Sequence, residues 1–328
     1  MPSDNVKMAA SNKAGQSPDP VTIDIVEVSP RDGLQNEQTQ FSTQKKLKLI
    51  NFAIEAGMKR IEVTSFVNPK RVPQMADADE VARGLPKRDD VCYTGLVLNK
   101  KGAERAIAAE LDELGAVCVA SDIFAQKNQG QTRLESGESA AAIVKLAHEN
   151  NRRGTVTIAA SWGCPFQGEV PHNDVVELAK IAADAGADEI SLADTIGVGD
   201  PWNVEILFEK VRAVTGDIPL RAHFHNTRNT GFANAAAAVR AGVRIFDSSF
   251  GGIGGCPFAP AATGNISTED LIYMLHRGGM KTNIDIDIAI EAGAWLAENL
   301  PGRTPGMLIR AGGFPEPQNE SSDEKKRA

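Results

Sequence analysis

Apolar positions recur along this chain in two alternating rhythms. Short runs rich in Val, Ile and Leu read as strands at 21–28, 60–64, 91–98, 116–121, 155–161, 189–193, 220–225 and 243–248. Each is followed by an Ala-, Leu- or Glu-rich stretch of helical period, as at 43–56 and 173–185. Glycine punctuates the change from helix to strand, because it best accepts the left-handed conformation just past a helix end. Ala56-Gly57, Ala185-Gly186 and Ala241-Gly242 repeat one another, Leu114-Gly115 is similar, and Gly84, Gly154 and Gly216 fall between. Successive junctions are 26 to 39 residues apart, close to the roughly 30 residues of one strand-plus-helix unit. Seven junctions separate eight strands, which predicts an α/β fold, a (β/α)8 TIM barrel with its active site at the C-terminal ends of the strands. A doubly wound open sheet is the runner-up, but no Gly-x-Gly-x-x-Gly follows the first strand. The expected organisation is a disordered N-terminal tail at 1–20, one barrel domain at 21–314 and a polar C-terminal tail at 315–328.

Composition narrows the function rather than the fold. With 43 acidic and 35 basic side chains among 328 residues the net charge is -8, which argues against nucleic acid or an anionic membrane as partner. Cys92, Cys118, Cys164 and Cys256 form no Cys-x-x-Cys pair, so a disulfide framework or zinc finger is not expected and a reducing compartment fits. The uncharged stretch 248–268 carries five glycines and two prolines and reads as a loop, not a membrane span. The first 20 residues have no apolar core and no arginine, so neither a signal nor a transit peptide is visible. A soluble, cytoplasmic protein is expected, with homo-oligomerisation left open.

The residues falling at the predicted strand ends are chemically pointed. Arg31 and Asp32 follow the first strand; Glu62, Thr64 and Ser65 lie on the second; Asp194 follows the sixth; the seventh ends in His223-Phe224-His225. Beyond the eighth come Gly251-Gly252-Ile253-Gly254-Gly255-Cys256-Pro257, Asn265 and Glu269. His223 and His225 are two apart on a strand and share a face, as a common metal requires, although a His-x-His on a buried strand can equally be a pair of core imidazoles. With Asp32 and an amide oxygen such as that of Asn265, the donor set suits a divalent cation, Mg or Mn before Zn. Arg31 beside Asp32 reads either as a turn with an ion pair or as a guanidinium placed to neutralise an enolate or carboxylate as charge develops. Cys256 is either a small residue tolerated in a glycine loop or a movable thiol that shuttles a proton once water is excluded.

Taken together the motifs resemble a known family. Glu27-Val28-Ser29-Pro30-Arg31-Asp32-Gly33-Leu34-Gln35-Asn36-Glu37, Glu62-Val63-Thr64-Ser65-Phe66-Val67, Pro73-Gln74-Met75-Ala76-Asp77, Asp194-Thr195-Ile196-Gly197-Val198-Gly199, Gly254-Gly255-Cys256-Pro257-Phe258-Ala259 and Gly264-Asn265-Ile266-Ser267-Thr268-Glu269-Asp270-Leu271 are similar to the 3-hydroxy-3-methylglutaryl-CoA lyase family, across nearly all of the predicted barrel. The resemblance implies Asp32, His223, His225 and Asn265 as metal ligands, Arg31 as enolate stabiliser and Cys256 as mobile acid/base. It also implies that Glu62 and His223 support the metal and the proton transfers, and that Gln35, Ser65, Phe166, Asp194, Asn226 and Arg228 meet the substrate. The implied reaction is a metal-dependent retro-Claisen cleavage of an acyl-CoA thioester to acetyl-CoA and a keto acid. Which of His223 and Cys256 is base and which acid stays open.

The chain also departs from the family. After the seventh strand the usual His-Cys-His-Asp-Thr-Tyr-Gly-Gln is here His223-Phe224-His225-Asn226-Thr227-Arg228-Asn229-Thr230, and Phe166 stands where a tyrosine is usual. Lost polarity at Phe166 and the charge change at Asn226 and Arg228 lead to the expectation of a related substrate, citramalyl-CoA or a longer 3-substituted 3-hydroxyglutaryl-CoA. Three other classes share part of this pattern. A Claisen-condensing acyltransferase shares Arg-Asp and His-x-His but is usually a longer chain, an aldolase of 4-hydroxy-2-oxoacids needs no loop thiol, and a silent binding protein would have lost a ligand.

Overall fold

A computed structural model describes residues 20–255 and 264–315. Eight parallel strands close into a barrel: β1 Asp24–Glu27, β2 Arg60–Ser65, β3 Cys92–Val97, β4 Glu113–Val119, β5 Arg153–Ala159, β6 Glu189–Asp194, β7 Leu220–Phe224 and β8 Ile245–Ser248. Each pairs with its neighbour in sequence and β8 returns to β1, so the expected (β/α)8 topology is the one formed. A short antiparallel ribbon, Gly163–Cys164 with Gly168–Glu169, is inserted after β5. No helix among the described residues is long and apolar enough to cross a membrane. The tails expected at 1–20 and 315–328 lie outside the described residues except for Pro20 and Pro315.

Helices begin where a side chain can take over an orphan backbone N–H. Ser42 caps the helix Thr43–Glu55, Thr132 and Glu135 form a capping box on Arg133–Glu149, and Asp200 accepts from Trp202 and Asn203 at the head of Pro201–Thr215. Gly57, Gly186, Gly216 and Gly242 follow helix ends with φ of 97°, 84°, 62° and 85°, as the junction reading requires. Two of the other expected junctions are displaced. Gly115 and Gly154 lie inside β4 and β5, and the left-handed residue before each strand is Glu110 (φ 59°) or Asn151 (φ 54°). Residues 21–23 do not extend β1; Ile23 and Val21 pair with Lys281 instead.

The apolar core is the shell between strands and helices, where Ile61, Val63, Ile190, Leu192 and Phe246 are fully buried. Inside the barrel the packing is ionic. Arg60 donates to Glu189 at 2.7 Å and to Glu113 at 3.0 Å, and Arg221 lies 3.3 Å from Glu189. Glu113 and Glu189 are essentially inaccessible to water, and burial of such charges is tolerable only because each faces an opposite one.

Candidate metal centre

The chain turns sharply after β1, and Ser29–Gly33 forms a single wide turn that aims Arg31 and Asp32 across the barrel mouth. Strand parity places the rest. On β7 and just past its end, Arg221, His223 and His225 fall on the inward face while Ala222 and Phe224 pack outward. The segment 264–267 runs back beside the ends of β7 and β8, with His225 and Asn265 bridged, Asn226 N donating to Gly264 O and Ile266 N donating to Phe224 O. Asn265 is thereby set next to His225 and Asp32. Gly254 makes room for it: φ is 135° there, and a β-carbon would stand 2.6 Å from the Asn265 amide nitrogen.

Donor atoms of Asp32, His223 and His225 lie within 4.8 Å of one another, and the three side chains are buried or nearly so. His225 Nε2 is 3.9 Å from Asp32 Oδ2, beyond hydrogen-bond range, and its buried Nδ1 has no partner among the described residues. A carboxylate and two imidazoles turned toward one another with water largely excluded are the donor set a divalent cation takes, so the triad fits one on chemistry as well as distance. Asn265 is beside the triad but differently turned from the expectation. Its NH2 donates to Asp32 Oδ2 at 2.7 Å and to Ile253 O at 3.1 Å, so its oxygen reaches a cation only after the amide rotates. Arg31 is clamped between two carboxylates: Nη1 to Asp32 Oδ1 at 2.7 Å, Nε to Glu62 Oε2 at 2.8 Å and Nη2 to the same oxygen at 2.6 Å.

Electrostatics follow from burial and these contacts. Burial pushes Asp32 upward, but Arg31 and the two imidazoles more than offset it and hold its pKa down at about 2. For Glu62 burial wins over Arg31, and the carboxyl is raised. Burial and the neighbouring His223 press His225 down to about 4, leaving it neutral and available as a ligand near pH 7.

A cavity of about 890 Å3 opens over this centre, lined by Arg31, Asp32, Gln35, Glu62, His223 and His225 among others. One wall is apolar, from Val67, Val72, Leu96, Val117 and Phe124, and two cations that sequence reasoning missed, Arg71 and Lys127, also line it. Ser65 reaches the cavity only through Gln35, whose Oε1 accepts from its hydroxyl at 3.4 Å. The register of β2 against β3 shifts between Glu62 and Thr64, and this bulge turns Thr64 toward Met75 and Ser65 toward Gln35.

The other expected substrate contacts are not brought to the cavity wall. Asp194 accepts from the backbone N–H of Val198 and Gly199, both at 2.9 Å, and so shapes the loop after β6. Asn226 accepts from Gly231 N, and Arg228 donates to Ile196 O at 2.8 Å and Gly197 O at 3.0 Å. Both side chains therefore bind neighbouring backbone rather than face the cavity. Phe166 packs edge-on to Phe124 and carries Lys127 4.9 Å above its ring, touching cavity-lining residues rather than lining it. Cys256 lies outside the described residues.

The root of the glycine loop rests on two buried carboxyls. Glu27 accepts from Ser29 N, Phe250 N and Thr268 Oγ1, and Glu269 accepts from Gly251 N. Burial lifts Glu27 to about 7 and Glu269 to about 8, from an ordinary 4.5. Below pH 4.5 both are neutral folded or unfolded. As pH rises the unfolded chain ionises first, so the stability held by these protons drains away until the folded groups ionise near 7 and 8. Stability is expected to fall by about a few kcal/mol from pH 5 to pH 8, lowering the melting temperature, and Glu269→Gln is expected to flatten that slope in thermal scans. An equally steep fall in the variant would show that Glu269 is not the group responsible.

Comparison with known proteins places these residues in context. The sequence matches the HMGL-like family over residues 22–294. It is 42% identical over 303 residues to (R)-citramalyl-CoA lyase of Chloroflexus aurantiacus, covering 88% of this chain and 95% of the relative. It is 41% identical over 295 residues to human mitochondrial hydroxymethylglutaryl-CoA lyase, covering 89% and 90%. The fold superposes on an HMG-CoA lyase from Acenitobacter baumannii, solved in complex with coenzyme A and 3-methylmalate, with a TM-score of 0.85 at 40% identity, over 90% of this chain and 98% of that one.

Proposed function

The chain belongs to the HMGL-like family, and on that premise we propose that it is a divalent-metal-dependent carbon-carbon lyase that cleaves a 3-hydroxy-3-methylglutaryl-CoA-like thioester to acetyl-CoA and a keto acid. The observation that carries this is the buried triad of Asp32, His223 and His225 beside a clamped Arg31 at the floor of a cavity. Asp32, His223 and His225 would hold Mg or Mn, with Asn265 completing the set by turning its oxygen inward. Such a cation supplies Lewis-acid polarisation of the tertiary hydroxyl and an adjacent oxygen. Arg31 meets charge that appears only as the carbon-carbon bond breaks, on the enolate oxygen of the departing acetyl thioester. Glu62 and Asp32 keep its fork from rotating. Proton transfer falls to Cys256, with Gln35 and Ser65 orienting the acyl group; His223 supports it through the metal, since its Nδ1 is engaged by Asp247 and only Nε2 is left for a cation.

Arg71 and Lys127 suit the phosphates of coenzyme A, which need cations near the mouth of a site whose floor is spoken for. Replacing both by Ala is expected to raise KM about tenfold or more and leave kcat within a factor of about two. Steady-state kinetics at two ionic strengths checks this, and a loss confined to kcat would remove them from coenzyme binding.

A second reading, (R)-citramalyl-CoA as substrate, is favoured by the 42% identity to the lyase of that name. Incubating the protein with Mg or Mn and a panel of 3-hydroxyacyl-CoA thioesters, with products identified by mass, tests both. Acetyl-CoA released from the methylglutaryl thioester with the highest specificity constant supports the first reading. Preference for the citramalyl thioester supports the second, and no acetyl-CoA from any member overturns the lyase assignment.

A further inference from the structure

We propose that Asp247 is a positioning residue for the metal centre: with Arg221 it fixes the ring of His223 in the tautomer that leaves Nε2 to a cation. This rests on the reading of His223 as a metal ligand. Asp247 sits on β8 in register with His223 on β7, and its Oδ2 is 3.0 Å from His223 Nδ1. A carboxylate can only accept, so Nδ1 carries the hydrogen and the free lone pair of the neutral ring is at Nε2.

The carboxylate is itself held from the other side. Arg221, two residues before His223 on the same inward face, lies 3.5 Å from Asp247 Oδ1 and 3.3 Å from Glu189 Oε1. Glu189 in turn binds Arg60, and Arg60 binds Glu113. Opposite charges thus alternate from the barrel floor to the imidazole, and all but the half-exposed tip of the chain near Arg153 are shielded from water. Asp247 therefore stands between two groups: Oδ2 takes the imidazole N–H, and Oδ1 faces the guanidinium as an ion pair at 3.5 Å rather than as a hydrogen bond. Among the described residues His225 has no such partner, its buried Nδ1 being unpaired. Of the two imidazoles, His223 is the one whose orientation the barrel dictates, which is the usual service of a carboxylate behind a metal-binding histidine.

Asp247→Asn tests this because it keeps the shape and removes one acceptor. Its NH2 must oppose either Arg221 or His223, and facing the guanidinium brings donors and positive charge together. Facing His223 it demands hydrogen on Nε2, where the cation should bind. In the full-length protein, Mn2+ affinity measured by calorimetry is expected to fall ten- to a hundredfold. In 15N spectra of histidine-labelled, metal-free protein, the resonance removed by His223→Gln is expected to report Nδ1–H in the parent and Nε2–H in Asp247→Asn. Unchanged Mn2+ affinity in a folded Asp247→Asn chain overturns the proposal. So does an Nε2–H tautomer at His223 in the parent, a result that stands even if the variant does not fold. A parent that shows the Nδ1–H tautomer yet binds no Mn2+ overturns the metal reading, and with it the service assigned to Asp247.

Discussion

His225→Ala is expected to weaken divalent-cation binding by at least about a hundredfold and turnover by on the order of a thousandfold, with little change in melting temperature. Loss of a group behind a ligand costs ten- to a hundredfold, and loss of the ligand itself should exceed it. The small stability effect follows from what His225 does not do. Among the described residues its Nδ1 has no hydrogen-bond partner and it makes no ion pair shorter than 3.9 Å, and it borders a cavity that water can refill. Removing it strands no charge, because Asp32 keeps Arg31 at 2.7 Å. Calorimetric titration with Mn2+ and a thermal scan of the same sample decide the matter. Parent-like Mn2+ affinity in the variant would return the two imidazoles to an ordinary buried pair.

Arg31→Lys is expected to lower kcat by a hundred- to a thousandfold while KM moves by less than about threefold. Charge is conserved, so Asp32 and Glu62 are not left facing each other uncompensated across a buried gap. The fork is lost. Arg31 uses three nitrogens to hold two carboxylates, and an ammonium on a flexible stem cannot bridge both and still present a fixed donor to a developing oxyanion. Because the interaction is made with charge that the ground state lacks, its loss belongs to kcat. Single-turnover measurements with saturating thioester and metal separate the two effects, and a loss carried by KM alone would make Arg31 a substrate clamp instead.

How far the site could be read from the chain is best judged by facing. Arg31, Asp32, Glu62, His223 and His225 were reached from their positions at strand ends, and all five line the cavity. Asp194, singled out by the same criterion, and Asn226, singled out by comparison with the family's motif, do not line it. Counting in twos would have excluded them: Asn226 is odd to His225, and Asp194 is odd to Ala193, which does face in. The same parity finds Arg221, and an aspartate inside the expected eighth strand is the sign of Asp247. The bulge in β2 defeats such counting, since one extra residue exchanges the faces of Thr64 and Ser65.

Periodicity, glycine placement and motif content by themselves determined that this chain is an eight-unit barrel of the lyase type, with its polar residues gathered at one rim. Those are local properties: a period needs only neighbouring residues, and a helix end needs one residue that tolerates positive φ. Tertiary structure alone decided which polar groups became partners. Asn265 meets Asp32 across 233 positions of sequence, Arg60 meets Glu189 across 129, and Arg228 turns to the Ile196 carbonyl rather than to the cavity. Those choices depend on distances of a few ångströms between strands remote in the chain. In a buried interior a donor left without an acceptor is expensive enough that geometry, not residue type, assigns each side chain its work.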